Sequence, residues 1–287
     1  MSIRAIIATL TIILILPKEA SAWGPATHLD LGSALIKDLA LVSPVIAALI
    51  KKYASDFLYG NISADIVVAK NLTHELKHCH NWSFGFKLLE RAESESQRAF
   101  AYGYLSHLAS DTVAHNNFIP EMMVRAYNSP IRKHIYWEMR FDALAPKHVW
   151  RLPESIERHV HTGNDQLLKR TLEGTVLSFK TNKTIFSTIM NLQKINQWHH
   201  KLAVLSPRSR WVLHKKDRTR FRDETLGRIT DLLKNGQKAA CVSFDPIGRK
   251  NLTRAKAIRR QLKGIKKKNK EHIEEVLSSA LKEFSFD

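Results

Sequence analysis

The stretch SQRAFAYGYLSHLASDTVAHN, Ser96–Asn116, decides how this chain folds. It is rich in alanine with interspersed leucine, and its only glycine is Gly103, so helix is the expected state. Phe100, Tyr104, His107, Leu108, Asp111 and His115 fall on related faces of that helix. His107, Asp111 and His115 follow one another at i, i+4 and i+8, a spacing that stacks them along one side. Asp111 stands among Leu105, Leu108, Val113 and Ala114. A carboxylate in apolar surroundings is costly unless it is paired or bound to a metal.

Downstream, Ile131 to Leu144 is predicted as helix ending before Pro146, and His134 and Glu138 repeat the i, i+4 arrangement within it. Upstream, His74, His78 and His80 form a cluster, with Asp65 preceding His80 by 15 residues. Imidazoles and carboxylates on successive helical turns converge well on a divalent cation. One His-x-x-x-Asp pair on a helix is usually structural. Two His/carboxylate pairs within 32 residues, with a third histidine in phase, favour metal binding.

The remainder reads as helix as well. Leu29 to Tyr53 carries apolar residues at helical spacing, with a restart at Ser43-Pro44. Tyr59-Gly60-Asn61 reads as a turn delivering Asp65, and Trp82 to Glu90 as a further helix. Helices are also expected at Ser155–Val160, Asp165–Thr171 and Ser187–His199, then at Arg222–Lys234 and Leu252–Phe284, where Gly264 is a weak point. No run of alternating strands and no internal repeat is evident, so the fold class is all-α, a multi-helical bundle. A boundary is expected near Ser206-Pro207, dividing a catalytic domain, 23–205, from a basic helical C-terminal extension, 206–287.

The ends carry two further signals. Arg4, the apolar run Ala5–Leu16 and the small residues Ala20-Ser21-Ala22 have the form of a signal peptide over residues 1–22, cleaved before Trp23. Export to the periplasm or beyond follows as an expectation, and no second apolar stretch approaches membrane-spanning length. The net charge is +18, and residues 201–287 hold 23 Lys and Arg against 10 Asp and Glu. Such a segment favours anionic membrane surfaces or nucleic acid, or acts as a solvated face. The two cysteines, Cys79 and Cys241, are too few for a disulfide framework and are expected to be unbridged.

Taken in order, Trp23-Gly24-Pro25-Ala26-Thr27-His28, Gly60-x-x-x-Ala64-Asp65, His80-Asn81-Trp82, His107-x-x-x-Asp111-x-x-x-His115 and His134-x-x-x-Glu138 resemble the zinc-dependent phospholipase C family. That family includes bacterial phospholipases C, P1/S1-type nucleases and the phospholipase C/D domain of glycosylphosphatidylinositol-specific phospholipase D. The resemblance covers about Trp23 to Leu144, and its motifs are specific through their joint order. It implies three Zn²⁺ ions in the cleft of an all-helical fold. The first would be held by Asp65, His80, His107 and Asp111. The second would use the amino nitrogen and carbonyl oxygen of Trp23 with His28 and Asp111. The third would use His115, His134 and Glu138. His115 follows Asp111 more closely than in the bacterial enzymes, a spacing similar to the phospholipase C/D branch. His78 competes with His80 for one position, and His80 is preferred because Trp82 follows it closely.

The resemblance implies an exported phosphodiesterase that attacks phospholipid head groups with zinc-activated water, since zinc lowers the pKa of bound water to roughly 7. Asp65 would orient or deprotonate that water. The alternatives are a single-strand nuclease and a zinc-stabilised, non-enzymatic polyanion-binding protein. A nuclease would stack bases on aromatic side chains, for which Trp82, Tyr102, Tyr104, Tyr136 and Trp137 are the candidates. A free α-amino group on Trp23 exists only after cleavage behind Ala22.

Overall fold

A computed structural model describes residues 23–66, 79–129, 135–157, 159, 161–172, 183–184, 212–265 and 269–286. The expected signal peptide, His74, His78, His134, the helix expected at 187–199 and the boundary expected near 206–207 lie outside the described residues. Among the described residues there is no strand, and the fold is all-α. None of their helices is long and apolar enough to cross a membrane.

Helix α1, Pro25–Lys37, starts with proline in its first turn, where no intrahelical N–H is needed. Gly24 at its N-cap has no side chain to accept from the orphan N–H groups, and Asp142 takes that role from a distant helix. Its carboxylate accepts the Thr27 N–H at 3.0 Å and the Thr27 hydroxyl. The same carboxylate explains the small residue at position 24, because a Cβ there would stand 1.9 Å from Asp142 Oδ2. Helix α2, Pro44–Lys52, begins at the Ser43 cap that the sequence signals.

Helix α3, Ala54–Ser63, runs into a 3₁₀ turn, Ala64–Ile66, that carries Asp65. Tyr59-Gly60-Asn61 is therefore helical, where the sequence suggested a turn. Gly60 serves close approach instead of chain reversal. A Cβ on Gly60 would lie 2.1 Å from the Phe100 carbonyl oxygen, and one on Gly103 would lie 2.0 Å from that of Phe57. The two backbones touch at this crossing, which brings Asn61 against the helix that bears His107.

That helix, α5, spans Glu95–Val113 and is nearly all buried from Ala99 onward. Ser94 caps it by accepting the Gln97 N–H. Helix α4, Trp82–Glu90, packs beside it and begins at the Asn81 cap, which accepts the Phe84 N–H at 2.7 Å. After Val113 the chain widens into a π-helical turn, Ala114–Phe118, before α6, Ile119–Arg125. The regular α-helix expected through Asn116 thus ends earlier, and His115 lies on the wider turn. Helices α7, Ile135–Asp142, α8, Leu152–Glu157, and α9, Thr162–Thr171, follow.

The C-terminal region forms α10, Lys215–Asn235, α11, Arg249–Gly264, and α12, Lys270–Glu283; the break falls at Gly264. Phe221, Ile229, Leu252, Ile258 and Phe284 share one apolar cluster with Trp23, Phe118 and Phe141. Partly buried ion pairs add to the junction: Arg218 and Arg222 both reach Asp30, at 2.8 and 2.9 Å. The basic segment is thus packed into the same core as the N-terminal helices.

Candidate metal centre

Four elements converge on one buried polar cluster: the start of α1, the 3₁₀ turn after α3, the loop before α4 and the C-terminal half of α5. His28, His107 and Asp111 bring ligand-capable atoms within 4.8 Å of one another, and so do Asp65, His80 and His107. Asp111 Oδ2 lies 3.2 Å from His107 Nε2 and 3.5 Å from His80 Nε2. Its Oδ1 faces the other way, 3.4 Å from His28 Nε2. Asp65 Oδ1 stands 3.3 Å from His80 Nε2, and Asp65 is the more open of the two carboxylates.

The outer nitrogens of these rings are tied to the protein. His107 Nδ1 donates to the Asn61 carbonyl at 2.8 Å. The Ser110 hydroxyl donates to the His107 carbonyl and accepts from His28 Nδ1 at 3.0 Å. His80 Nδ1 meets Cys79 Sγ at 3.4 Å, and that thiol points on to the Ala64 carbonyl. Each bond places the proton on Nδ1 and leaves an Nε2 lone pair facing inward. His107 and His80 consequently bring two Nε2 lone pairs within 3.2 Å of each other.

The buried donors pass the test for a cation. His28 Nε2 and both Asp111 oxygens have no hydrogen-bond partner among the described residues. Leaving a fully buried carboxylate without a donor is expensive, and a cation among the Nε2 atoms would satisfy all of them. Three imidazoles and two carboxylates are the donor set that suits zinc. Burial alone would raise the Asp111 carboxyl, but His107 and His28 outweigh it and hold the group well below the usual carboxylate range. Burial, aided by repulsion from His107, pushes His28 down towards its neutral, ligating form. His107 is raised, because Asp111, Asp65 and the Asn61 carbonyl together exceed its burial penalty.

Trp23 is 1 % exposed and is held by its side chain. Its indole packs on Phe141 and Phe118 at centroid distances of 4.0 and 4.7 Å, and its Nε1 donates to the Ser110 carbonyl at 3.0 Å. His115 and Glu138 are buried too, but neither belongs to the two clusters found among the described residues. Both cysteines are buried, and neither is in a disulfide. Ser110, Asn61 and Asp142 were not apparent as site residues in the sequence. Ser110 and Asn61 act through a single hydroxyl or carbonyl, which leaves no spacing signal.

A family model described as zinc dependent phospholipase C matches residues 27–198. No curated protein and no solved structure matches the chain.

Proposed function

The chain belongs to the zinc-dependent phospholipase C family, and on that premise we propose that it is an exported zinc phosphodiesterase that hydrolyses phospholipid head groups. The observation that carries this reading is Asp111, fully buried, with one oxygen turned to His28 and the other to His80 and His107. A carboxylate so placed suits a bridge between two zinc ions. Asp65, His80 and His107 would complete one position with Asp111. His28 and the backbone of Trp23 would complete the second. His115, His134 and Glu138 would hold a third.

Zinc, when bound, supplies Lewis acidity that activates water and neutralises a phosphodiester's charge. The chain's own residues do the rest. The Nδ1 bonds to Asn61, Ser110 and Cys79 fix three rings with Nε2 inward, so little reorganisation accompanies catalysis. Asp65, more open to solvent than Asp111, is the carboxylate placed to orient water or take its proton. Asp111 stays ionised because the adjoining imidazoles favour its charge.

Two parts of this reading concern the ends of the chain. Cleavage after Ala22 would free the Trp23 amine as a ligand, and the indole anchored on the residue before Asp111 supports that placement. The basic C-terminal segment would favour an anionic bilayer, which also presents the substrate.

Tyr104 and Trp137 are buried in the core, which removes two of the five aromatic side chains a nuclease would use as stacking platforms. The test is release of phosphorylated head groups from phospholipid vesicles, run beside digestion of single-stranded DNA. Head-group release that Asp65→Asn abolishes while zinc is retained supports the proposal. DNA digestion alone would replace it with a nuclease. Activity on neither, with zinc bound, would leave a non-enzymatic zinc protein.

A further inference from the structure

Three consecutive backbone carbonyls of the C-terminal region are captured by side chains of the N-terminal one. Phe244 O accepts the Trp82 indole N–H at 2.8 Å. Asp245 O accepts Asn116 Nδ2 at 2.9 Å. Pro246 O accepts His115 Nδ1 at 2.6 Å. A return bond runs from Asn251 Nδ2 to the Asn116 carbonyl at 3.0 Å. All three carbonyls lie beyond the segment that matches the family, which ends at residue 198.

The turn that presents them is rigidly built. Asp245 accepts the N–H groups of Ile247 and Arg249 with its carboxylate and that of Gly248 with its carbonyl. Gly248 has φ +62°, a left-handed conformation that glycine adopts without strain. It also presses against the π-helical turn: a Cβ there would stand 2.5 Å from His115 Cβ and from His115 O. Arg228 packs over the Phe244 ring at 4.9 Å and reaches Thr112 and Asn117, which ties α10 to both sides of the contact.

We infer that the turn Phe244–Gly248 is a positioning element for His115, and that the C-terminal region is thereby part of the metal centre. The inference rests on the reading of His115 as a zinc ligand. His115 lies on the π-helical turn beyond the end of α5, and a contact from outside that helix fixes its ring. The Pro246 carbonyl does so: it holds the proton on Nδ1 and leaves Nε2 as the ligating atom. Pro246, Gly248 and the basic helices are thus placed by what they do for a histidine 131 residues earlier in the chain.

The test measures zinc per chain and zinc affinity in full-length variants. Gly248→Ala adds both a strained φ and a contact with His115. Gly236→Ala adds strain alone, because Gly236 has φ +58° and nothing within 4 Å of its Cβ position. The expected result is one zinc fewer than wild type, or roughly 10–100-fold weaker binding of one ion, in Gly248→Ala only. Wild-type zinc content and affinity in folded Gly248→Ala would overturn the inference if His115→Ala loses an ion. Wild-type zinc in His115→Ala would overturn the ligand reading and the inference with it. Should Gly248→Ala not fold, Asn251→Ala carries the test: about tenfold weaker binding of one ion supports the inference, and unchanged affinity overturns it.

Discussion

The imidazole of His28 lies flat against that of His107, ring centroids 3.8 Å apart and 12° from parallel, and the two rings reach Asp111 through different oxygens. Two stacked, buried imidazoles repel each other when protonated, so one carboxylate between them serves best as a partner to cations shared with both. Asp111→Asn keeps the shape and removes the charge. Zinc affinity should fall by more than the roughly 100-fold that outer partners of metal ligands contribute. Competition against a chromophoric chelator measures it, and wild-type affinity would show that Asp111 is not a ligand.

Ser110 joins the two sides of the site. Its hydroxyl sets the His28 tautomer, and its carbonyl holds the Trp23 indole. Ser110→Ala removes only the hydroxyl. The fold should persist, while zinc affinity at the His28 position drops about 10–100-fold. An unchanged affinity in the same chelator competition would exclude this role.

The crossing of α3 and α5 depends on two glycines. Gly60→Ala or Gly103→Ala would push a methyl group into a facing carbonyl oxygen. Overpacking of this kind costs about 1–3 kcal/mol or more, and here neither contact is with a flexible side chain. Urea unfolding should show a loss of at least about 2 kcal/mol for each variant. A stability equal to wild type would mean the helices are not in backbone contact.

Asp142 gives a pH signature. Burial pushes its carboxyl up to about 6, against the pull of the Thr27 and Ala26 hydrogen bonds and of Arg218. The folded chain therefore keeps this proton to a higher pH than the unfolded chain, whose aspartates titrate near 3.9. Between those values the folded state binds more protons, so this residue's contribution to stability falls as pH rises from about 4 to about 6. The loss is about 3 kcal/mol at 1.36 kcal/mol per pKa unit. Asp142→Asn retains an acceptor for Thr27 without titrating. The difference in unfolding free energy between variant and wild type, both zinc-free, should shift by about that amount in favour of the variant across this window. A pH-independent difference would contradict it.

The helical class and the polar face of α5 were legible because both follow from spacing: His107 and Asp111 are one turn apart, and a helix stacks them. The Ser43-Pro44 and Gly264 breaks were legible for the same local reason. Gly60 misled, because a glycine that allows two helices to touch looks in one dimension like a glycine that turns the chain. The π-helical turn at 114–118 was invisible, since nothing local distinguishes it from a continuing helix. The bonds from Asn61, Ser110 and Pro246 were invisible too. They use backbone carbonyls or one hydroxyl, and the pairing His115–Pro246 spans 131 residues that only the tertiary fold brings together. The basic composition of residues 201–287 does not reveal their packing partners: Arg218 and Arg222 pair with Asp30, Arg220 pairs with Glu121, and Asp217 of the same segment pairs with Arg125 of α6.

The central claim is that these side chains form a zinc centre, and diffraction at the zinc absorption edge from crystals of the chain beginning at Trp23 tests it most directly. The account predicts anomalous peaks about 2.0–2.2 Å from the ligating atoms, one among Asp65, His80, His107 and Asp111, and another between His28 and Asp111. An absence of zinc from both positions, or zinc held only by other residues, would contradict it.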